Sequence, residues 1–285
     1  MTTTATGNSL RLRDPGLRGA FHRDGYVVVD MLDAPAIAAL TALWDASADP
    51  IRRMPFNVTI MSEDSGYRAA VSAAVENAVA PAIAVLFDNS RFVYGSFVVK
   101  PPSPGGLGIV PLHQDPSFID ETAGDTCNVW IPLIDVDSSN GCLRVIPGSH
   151  RLNRQPRSNV AFFRFPYPEL HSEMMAATIP VPLRAGQAIV TAQTLFHGSA
   201  PNASAVTRCA VSAVVAPADA MLIHYFQPFG DLAAPLEAFA VDRDFFCRHR
   251  MNERPAGDPL ATLAAEVDPV TAADVTRLAL QRMPT

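Results

Sequence analysis

From residue 91 onward the sequence is divided into short runs of β-branched and apolar residues, and this feature constrains the fold most strongly. Clusters of proline, glycine, serine and asparagine separate the runs, and these residue types favour turns. Many short strands with turns between them are typical of a β-sandwich or jelly roll. The strand-like runs are Arg91 to Lys100, Cys127 to Ile134, Leu143 to Ile146, Ala188 to Thr191 and Arg208 to Val215.

The segments on either side of these runs favour helices. Asp33 precedes Pro35 and a series of apolar residues at helical spacing, which predicts a capped helix. Near the other end, Asp258-Pro259 and Thr271-x-x-Asp274 are typical helix starts. We therefore predict one domain over residues 1–285: a helical part to about residue 90, a β core over about 91–226 and a helical tail over about 227–285.

Charge and hydropathy exclude several classes of protein. The chain has 285 residues, with 22 basic and 28 acidic side chains and a formal net charge of −6. A nucleic-acid-binding protein is expected to present a basic face, so we predict no nucleic-acid partner. We find no apolar run of the roughly 20 residues that a membrane span needs, and Met1 to Asn8 is polar, so we predict no membrane partner. The four cysteines lack C-x-x-C spacing, and we expect reduced thiols in a cytoplasmic protein.

The segment His113-Gln114-Asp115 is the first candidate for chemistry. In a strand, residues i and i+2 point to the same face, so the imidazole and the carboxylate would project side by side. Together with a second histidine they would form the facial triad of non-haem Fe(II) oxygenases, which leaves three metal positions open. The pair alone arises often by chance, and a surface loop is then the simpler interpretation.

His197 is the candidate for the second histidine. It follows the strand-like run Ala188 to Thr191, and Arg208 begins another run eleven residues later. This spacing allows the chain to return on a neighbouring strand with a guanidinium near the metal. A guanidinium can bind the distal carboxylate of a chelating keto acid through two parallel hydrogen bonds. Each residue alone is more simply explained as structural, but together they fit one site.

Further motifs follow in order along the chain from about residue 18 to residue 216. They are Phe21-His-Arg-Asp-Gly-Tyr26-Val, Val99-Lys100-Pro-Pro, Pro111-Leu-His113-Gln-Asp115, Asn128-Val-Trp130-Ile-Pro-Leu, Asn140-Gly-Cys-Leu-Arg-Val-Ile-Pro-Gly-Ser-His150-Arg151 and His197-Gly-Ser-Ala-Pro-Asn202-x-Ser204-x-x-x-Arg208. With these motifs the chain resembles the phytanoyl-CoA dioxygenase family of Fe(II)/2-oxoglutarate oxygenases. The resemblance implies a mainly β fold, a double-stranded β-helix (jelly roll, cupin-like) with flanking α-helices.

The resemblance also assigns roles to the candidate residues. It implies that His113, Asp115 and His197 ligate iron and that Arg208 binds the C5 carboxylate of 2-oxoglutarate.

Three more residues are candidates for the cosubstrate pocket. Lys100 and Trp130 stand at motif positions that face the cosubstrate in members of the family. Strand alternation from Arg208 places Ser212 on the same face, where it is either a hydrogen-bond donor to the cosubstrate or a packed core residue.

The activity implied is a dioxygenase that uses Fe(II), 2-oxoglutarate and O2 and hydroxylates a small molecule in secondary or small-molecule metabolism, releasing succinate and CO2. Desaturation, cyclisation and epimerisation use the same cofactors and stay open, as do a CoA-bound or carrier-bound substrate and the oligomeric state. An alternative of another class is a zinc-dependent isomerase or hydrolase on a cupin-like barrel. A non-catalytic scaffold is a third interpretation, which the complete triad disfavours.

Residues 151–175 form a long segment between two strand regions. Its basic residues are Arg151, Arg154, Arg157 and Arg164. Its aromatic residues include Phe162, Phe163, Phe165 and Tyr167. We interpret the arginines first as solvated loop residues. A substrate lid is the alternative, because long insertions often carry specificity.

Overall fold

The computed structural model describes residues 10–103, 105–122 and 124–280. The segment Met1 to Asn8 lies outside these residues. The helices are α1 (Pro15–Asp24), α2 (Ala34–Ala46), α3 (Ser65–Leu86), α4 (His171–Ala176), α5 (Phe245–Arg248) and α6 (Ala272–Leu280). The strands are β1 (Arg11–Leu12), β2 (Tyr26–Asp30), β3 (Asn57–Val58), β4 (Phe87–Asp88), β5 (Ser90–Lys100), β6 (Val110–His113), β7 (Cys127–Pro132), β8 (Leu143–Val145), β9 (Ile179–Val181), β10 (Gln187–Ala192), β11 (His197–Ser199), β12 (Arg208–Pro217), β13 (Ile223–Phe226), β14 (Leu236–Ala240) and β15 (Ala261–Leu263).

Two antiparallel sheets pack face to face. The larger sheet has the strand order β2-β10-β7-β12-β5-β3, and the smaller sheet has the order β6-β11-β8-β9. Trp130 and Ile189 of the larger sheet pack with Val145 of the smaller sheet in one buried cluster. This arrangement is the double-stranded β-helix with flanking helices that the sequence predicts.

Strand β12 shows how alternation separates the two faces of the larger sheet. Cys209, Val211 and Ala213 pack in a cluster that also contains Trp44 of α2 and Val75 of α3. Helices α2 and α3 therefore cover the outer face of this sheet with apolar contacts. Alternate residues of a strand share a face, so every second residue of β12 can contact the apolar side of these helices.

The other residues of the same strands point between the sheets. Arg208 lies opposite Lys100 on β5, and Ser212 lies opposite Trp130 on β7. Because alternate residues share a face, these four side chains lie on the inner face of the larger sheet together with Asn128. The inner face therefore gathers polar and aromatic groups that are distant in sequence.

Helix α3 is 22 residues long and apolar enough to cross a membrane by length and composition. The expectation that no apolar segment is long enough to span a membrane is therefore wrong, because α3 meets the requirements of length and composition. Val71, Val75 and Val79 of the helix are fully buried in the cluster that covers the larger sheet. The core helix of a globular fold meets the same length and hydropathy criterion.

The tail differs from the predicted helical segment. Residues Leu236–Ala240 and Ala261–Leu263 are strands, and with Ile223–Phe226 they form a third sheet of order β13-β14-β15. The helix predicted to start at Asp258-Pro259 is wrong, because this stretch leads into a strand whose pairing with β14 replaces local helical hydrogen bonds. Helix α6 does start after Thr271, whose hydroxyl and main chain exchange hydrogen bonds with Asp274.

Candidate metal and cosubstrate site

The two predicted histidine ligands are cross-strand neighbours. His113 ends β6, and His197 begins β11 directly opposite it, with ring centroids 4.4 Å apart. Both side chains are buried. The strands come close here because Gly198 has no side chain: a Cβ at this position would lie 2.8 Å from the carbonyl oxygen of Val110. The main chain of the smaller sheet thus sets the spacing of the two imidazoles.

Asp115 follows β6 and completes the cluster. Its Oδ1 lies 3.6 Å from Nε2 of His113 and 3.9 Å from Nε2 of His197. One ligand atom from each of the three residues lies within 4.8 Å of the other two. Two imidazoles and one carboxylate at this spacing match the donor set that holds Fe(II) on one face of its coordination sphere.

Hydrogen bonds fix the direction of both imidazoles. Nδ1 of His113 donates to the carbonyl oxygen of Pro111 at 2.8 Å, and Nδ1 of His197 donates to that of Leu195 at 2.9 Å. The Nε2 lone pairs are therefore left to face Asp115 and a metal. Burial, and next the neighbouring His113, lower the pKa of His197, which keeps its imidazole in the neutral form that binds metals.

The carboxylate of Asp115 is held in its charged form. Burial alone would raise its pKa, but the neighbouring imidazoles of His197 and His113 and a hydrogen bond from Asn128 outweigh burial and lower the pKa to about 2. Nδ2 of Asn128 donates to Oδ2 of Asp115 at 3.1 Å, which leaves Oδ1 for a metal.

The main chain of Asp115 is positioned by a residue from the 151–175 segment. Nε of Arg157 donates to the carbonyl oxygen of Asp115 at 2.7 Å, and its Nη2 donates to Oε1 of Glu121 at 2.6 Å. Arg157 and Glu121 are both buried. The interpretation of Arg157 as a solvated loop residue is therefore wrong: the segment folds back under the site and buries this ion pair.

We call the part of the inner face around Arg208 and Lys100 the cosubstrate end, and Arg208 is its most informative residue. Its side chain is almost fully buried on the inner face, and its Nε, Nη1 and Nη2 have no hydrogen-bond partner within the described part of the chain. Burial lowers its pKa to about 10, so the guanidinium is charged at neutral pH. A buried cation without a partner is costly, and a carboxylate ligand with two oxygens would satisfy it.

Lys100 lies beside Arg208 but is already bonded to the protein. Its Nζ donates to Oγ of Ser199 at 2.6 Å and to the carbonyl oxygens of Ser199 and Ala200. Burial, and next the charge of Arg208, lower its pKa to about 6. The three bonds tie the end of β5 to the end of β11, so Lys100 connects the two sheets next to the site.

Trp130 and Ser212 lie between the two ends of the site. The indole of Trp130 packs 5.2 Å from the guanidinium carbon of Arg208, and its buried Nε1 has no partner among the described residues. Ser212 lies across the strand pair from Trp130 and is buried. The structure thus brings Arg208, Lys100, Trp130 and Ser212 to one face.

The sequence predicts no site role for Asn128, and it places Arg157 and Phe162 only in the 151–175 segment, as parts of a loop or of a substrate lid. The Phe162 ring meets the ring of His113 edge-on at 4.8 Å. Asn128 was detectable, because it precedes Trp130 by two positions on the same strand and shares its face. No local signal predicts that Arg157 contacts Asp115 or that Phe162 contacts His113, because these contacts depend on how a long segment folds.

Comparison with known proteins gives the chain its family. The family model of phytanoyl-CoA dioxygenase (PhyH) matches residues 21–210. A phytanoyl-CoA dioxygenase from Oryza sativa subsp. japonica is 30% identical over 137 residues, which are 46% of this chain and 48% of that protein. A phytanoyl-CoA dioxygenase domain-containing protein from Danio rerio is 31% identical over 127 residues, 42% of this chain and 43% of that one. The chain thus spans about half the length of the curated relatives it matches.

Solved structures share the fold at lower identity. The non-haem α-ketoglutarate-dependent carbocyclase SnoK from nogalamycin biosynthesis superposes with a TM-score of 0.55 and 22% identity, over 73% of this chain and 86% of that one. The epimerase SnoN, in complex with Fe3+, α-ketoglutarate and nogalamycin RO, gives a TM-score of 0.53 and 21% identity over 92% and 98%. The family model covers the strands that carry the triad and reaches Arg208, and the chain belongs to the phytanoyl-CoA dioxygenase (PhyH) family.

Proposed function

We propose that this protein is an Fe(II)- and 2-oxoglutarate-dependent dioxygenase that oxidises a C–H bond of a small organic molecule, with hydroxylation as the default outcome. The observation that carries the proposal is the position of Arg208. A charged, buried guanidinium without a partner among the described residues lies between the same two sheets as a cluster of two histidines and one carboxylate.

The triad would hold the iron. His113 and His197 present Nε2 and Asp115 presents Oδ1, which gives three neighbouring donors and leaves the opposite side of an octahedral ion free. The hydrogen bonds to Pro111 and Leu195 orient the imidazoles before a metal arrives.

Arg208 would bind the distal carboxylate of 2-oxoglutarate. Its planar guanidinium can donate two parallel hydrogen bonds to one carboxylate. Nε1 of Trp130 and the hydroxyl of Ser212 are further donors on the same face. Lys100 would act mainly by holding β5 against β11, since its Nζ is already bonded to Ser199 and Ala200.

When bound, iron and 2-oxoglutarate together supply the oxidising power: one O2 is consumed, 2-oxoglutarate becomes succinate and CO2, and the substrate C–H becomes C–OH. The chain contributes position and exclusion of water. Its two buried histidines, oriented imidazoles and buried Arg208 place the reactants in fixed geometry between the two sheets.

Other outcomes with the same cofactors are desaturation, cyclisation and epimerisation. They depend on how the substrate is held rather than on the triad, so the residues described here favour none of them. The zinc-dependent isomerase or hydrolase leaves Arg208 without a role, and the oxygenase is therefore the better account.

We also propose that the chain acts as one oxygenase domain. The tail is joined to the 151–175 segment by hydrogen bonds from Gln155 and the main chain of Arg154 to the carboxylate of Asp268. Tyr167 donates to the carbonyl oxygen of the same residue. These contacts support a tail that braces the segment beside the metal site.

The proposal is tested by the release of succinate from 2-oxoglutarate by the purified chain in air, with and without added Fe(II). We expect succinate formation that depends on both Fe(II) and O2 and that stops on chelation. Asp115→Ala should abolish it, while Asp30→Ala, at a carboxylate with 82% of its side chain exposed, should leave it unchanged. Succinate release by Asp115→Ala at the rate of the parent chain would contradict the proposal.

A further inference from the structure

Four phenylalanine rings form a continuous series that starts at the metal site and ends at the surface. The ring of Phe162 meets His113 edge-on at 4.8 Å and lies nearly parallel to Phe56 at 6.2 Å, with an angle of 10°. Phe163 meets Phe162 edge-on at 5.1 Å and Phe229 edge-on at 5.3 Å. We call these four rings the aromatic wall.

The wall is built from three separate segments. Phe56 precedes β3, Phe162 and Phe163 belong to the 3-10 helix Ala161–Phe163, and Phe229 follows β13. Phe56 also lies 5.7 Å from Nζ of Lys100. The wall therefore passes from the metal ligand His113 to the neighbourhood of the cosubstrate end.

The outer half of the wall is exposed. Phe163 is 52% exposed and Phe229 is 66% exposed. More apolar surface adjoins the wall: Gly108 packs against the carbonyl oxygen of Pro55, and its neighbours Leu107 and Ile109 are also exposed. An exposed apolar patch that leads to a polar site is typical of ligand-binding grooves.

The segments that make this patch contain no charged residue, and Arg53, Arg164 and Asp231 directly flank three of them. The segments are residues 54–56 (Met-Pro-Phe), 105–110 (Gly-Gly-Leu-Gly-Ile-Val), 161–163 (Ala-Phe-Phe) and 228–230 (Pro-Phe-Gly). A charged group of a substrate would lose its hydration against such a surface without gaining a partner.

Each arginine of the 151–175 segment donates to a protein acceptor, and two of them, Arg154 and Arg157, pair with carboxylates. Their acceptors are the carbonyl oxygens of His22 and Arg23 for Arg151, the carbonyl oxygen of Glu121 and the carboxylate of Asp125 for Arg154, the carbonyl oxygen of Asp115 and the carboxylate of Glu121 for Arg157, and the carbonyl oxygen of Ala265 for Arg164. The charges of Arg154 and Arg157 are therefore already paired within the protein.

We propose that the aromatic wall binds the substrate and that the substrate is an uncharged small molecule with an aromatic ring, an inference that rests on the oxygenase function proposed above. Aromatic rings gain from offset-stacked and edge-to-face contacts beyond the area that they bury. The free faces and edges of Phe163 and Phe229 offer such contacts at the entrance, and Phe162 extends them to the metal ligand His113.

The test uses two fluorescent probes of similar shape: neutral N-phenyl-1-naphthylamine and anionic 8-anilino-1-naphthalenesulfonate. Both are titrated into the full chain without oxygen, in the presence of Fe(II) and 2-oxoglutarate, which fill the charged end of the site. The variants are Phe163→Glu and Phe229→Glu, which change exposed side chains on two different segments. Val85→Glu is the control, since Val85 is 76% exposed on α3 away from the wall.

We expect the neutral probe to bind the parent chain saturably and about tenfold more tightly than the anionic probe. Each wall variant should weaken the neutral probe by about tenfold, while the control variant keeps the affinity of the parent. Equal binding of both probes, wall variants that bind like the parent, or no saturable binding would overturn the inference.

The same protein samples separate this inference from the oxygenase proposal. Succinate release from 2-oxoglutarate by the parent chain without any substrate reports on iron and cosubstrate alone. If the parent chain releases succinate and the wall variants bind the probes like the parent, only the proposal that the aromatic wall binds the substrate is overturned. Wall-dependent binding of the neutral probe without succinate release would overturn the oxygenase function and leave an apolar ligand site.

Discussion

His113 and His197 stand directly opposite each other on adjacent antiparallel strands, with ring centroids 4.4 Å apart. The close approach of β6 and β11 depends on Gly198, where a Cβ would lie 2.8 Å from the carbonyl oxygen of Val110 and 3.1 Å from that of Pro111. The metal site is thus a property of the sheet register as well as of its ligands.

Gly198→Ala tests this relationship. The added methyl group must push β11 away from β6 and separate the imidazoles, so we expect the affinity for Mn(II), used as an EPR-visible substitute for Fe(II), to fall about tenfold or more. Gly19→Ala is the matched control, because a Cβ at that position meets nothing within 4 Å. Unchanged Mn(II) affinity in Gly198→Ala would show that the strand spacing does not set the site.

Arg157 is predicted to act as a positioning residue. Arg157→Met leaves Glu121 buried without its partner, so the free energy of unfolding should fall by about 3–5 kcal/mol in urea denaturation. Adding Glu121→Gln should restore much of this stability but not the bond to the carbonyl oxygen of Asp115. The double variant should therefore fold and still bind Mn(II) about tenfold more weakly.

Arg154→Met serves as the control for this pair, because Arg154 makes a half-exposed ion pair with Asp125. It should change neither stability nor metal affinity measurably. If the double variant binds Mn(II) as tightly as the parent chain, Arg157 does not position Asp115 for metal binding.

Arg208→Gln is predicted to act on the cosubstrate alone. The loss of a charge-assisted double hydrogen bond should weaken 2-oxoglutarate by about tenfold to a hundredfold in isothermal titration with Mn(II)-loaded protein. Metal affinity should stay at the value of the parent chain, and Arg184→Gln, at a side chain that is 74% exposed, should change neither quantity. If 2-oxoglutarate binds Arg208→Gln as tightly as the parent, another residue holds its distal carboxylate.

Two buried histidines away from the site predict a loss of stability in acid. Burial, and next Arg151, lower the pKa of His150 to about 4, and burial, and next His249, lower that of His224 to about 4. An unfolded histidine takes up its proton near pH 6.5, whereas these two stay neutral in the folded chain until about pH 4. The free energy of unfolding therefore keeps its full value with respect to these histidines above about pH 6.5. It falls as the pH decreases towards 4, by up to about 3 kcal/mol for each histidine.

His224→Phe isolates one of these contributions. His224 lies among Phe226, Phe245 and Phe246, where a phenyl ring fits the surroundings. Urea midpoints between pH 7 and pH 4.5 should fall less steeply in the variant than in the parent chain. Parallel pH profiles would show that His224 titrates normally in the folded chain.

Much of the site could be predicted from the sequence because its residues carry local signals. The spacing of His113 and Asp115 predicts that they lie side by side, and they do, although Asp115 lies just beyond the end of β6; Arg208 and Ser212 share a face by alternation on β12. The fold class followed from short strands between turns, and the structure confirms it. The cytoplasmic location stays a prediction.

The remaining features depend on contacts between distant segments. The bond from Arg157 joins residues 42 positions apart, and Phe162 reaches His113 only because its segment folds back over β6. In the tail, Leu260 donates its main-chain hydrogen bond to Ala238, and this pairing overrides the helix start at Asp258. Local capping signals are weak compared with such sheet pairing.

The most direct test of the central claim is an anaerobic titration of the metal-free chain with Fe(II) and then 2-oxoglutarate, followed by visible absorption. We predict a weak metal-to-ligand charge-transfer band that appears only when both are present. Asp115→Ala should not show the band under the same conditions. A chain that binds Fe(II) stoichiometrically and shows no band with saturating 2-oxoglutarate would contradict the account and favour a metal-dependent isomerase or hydrolase.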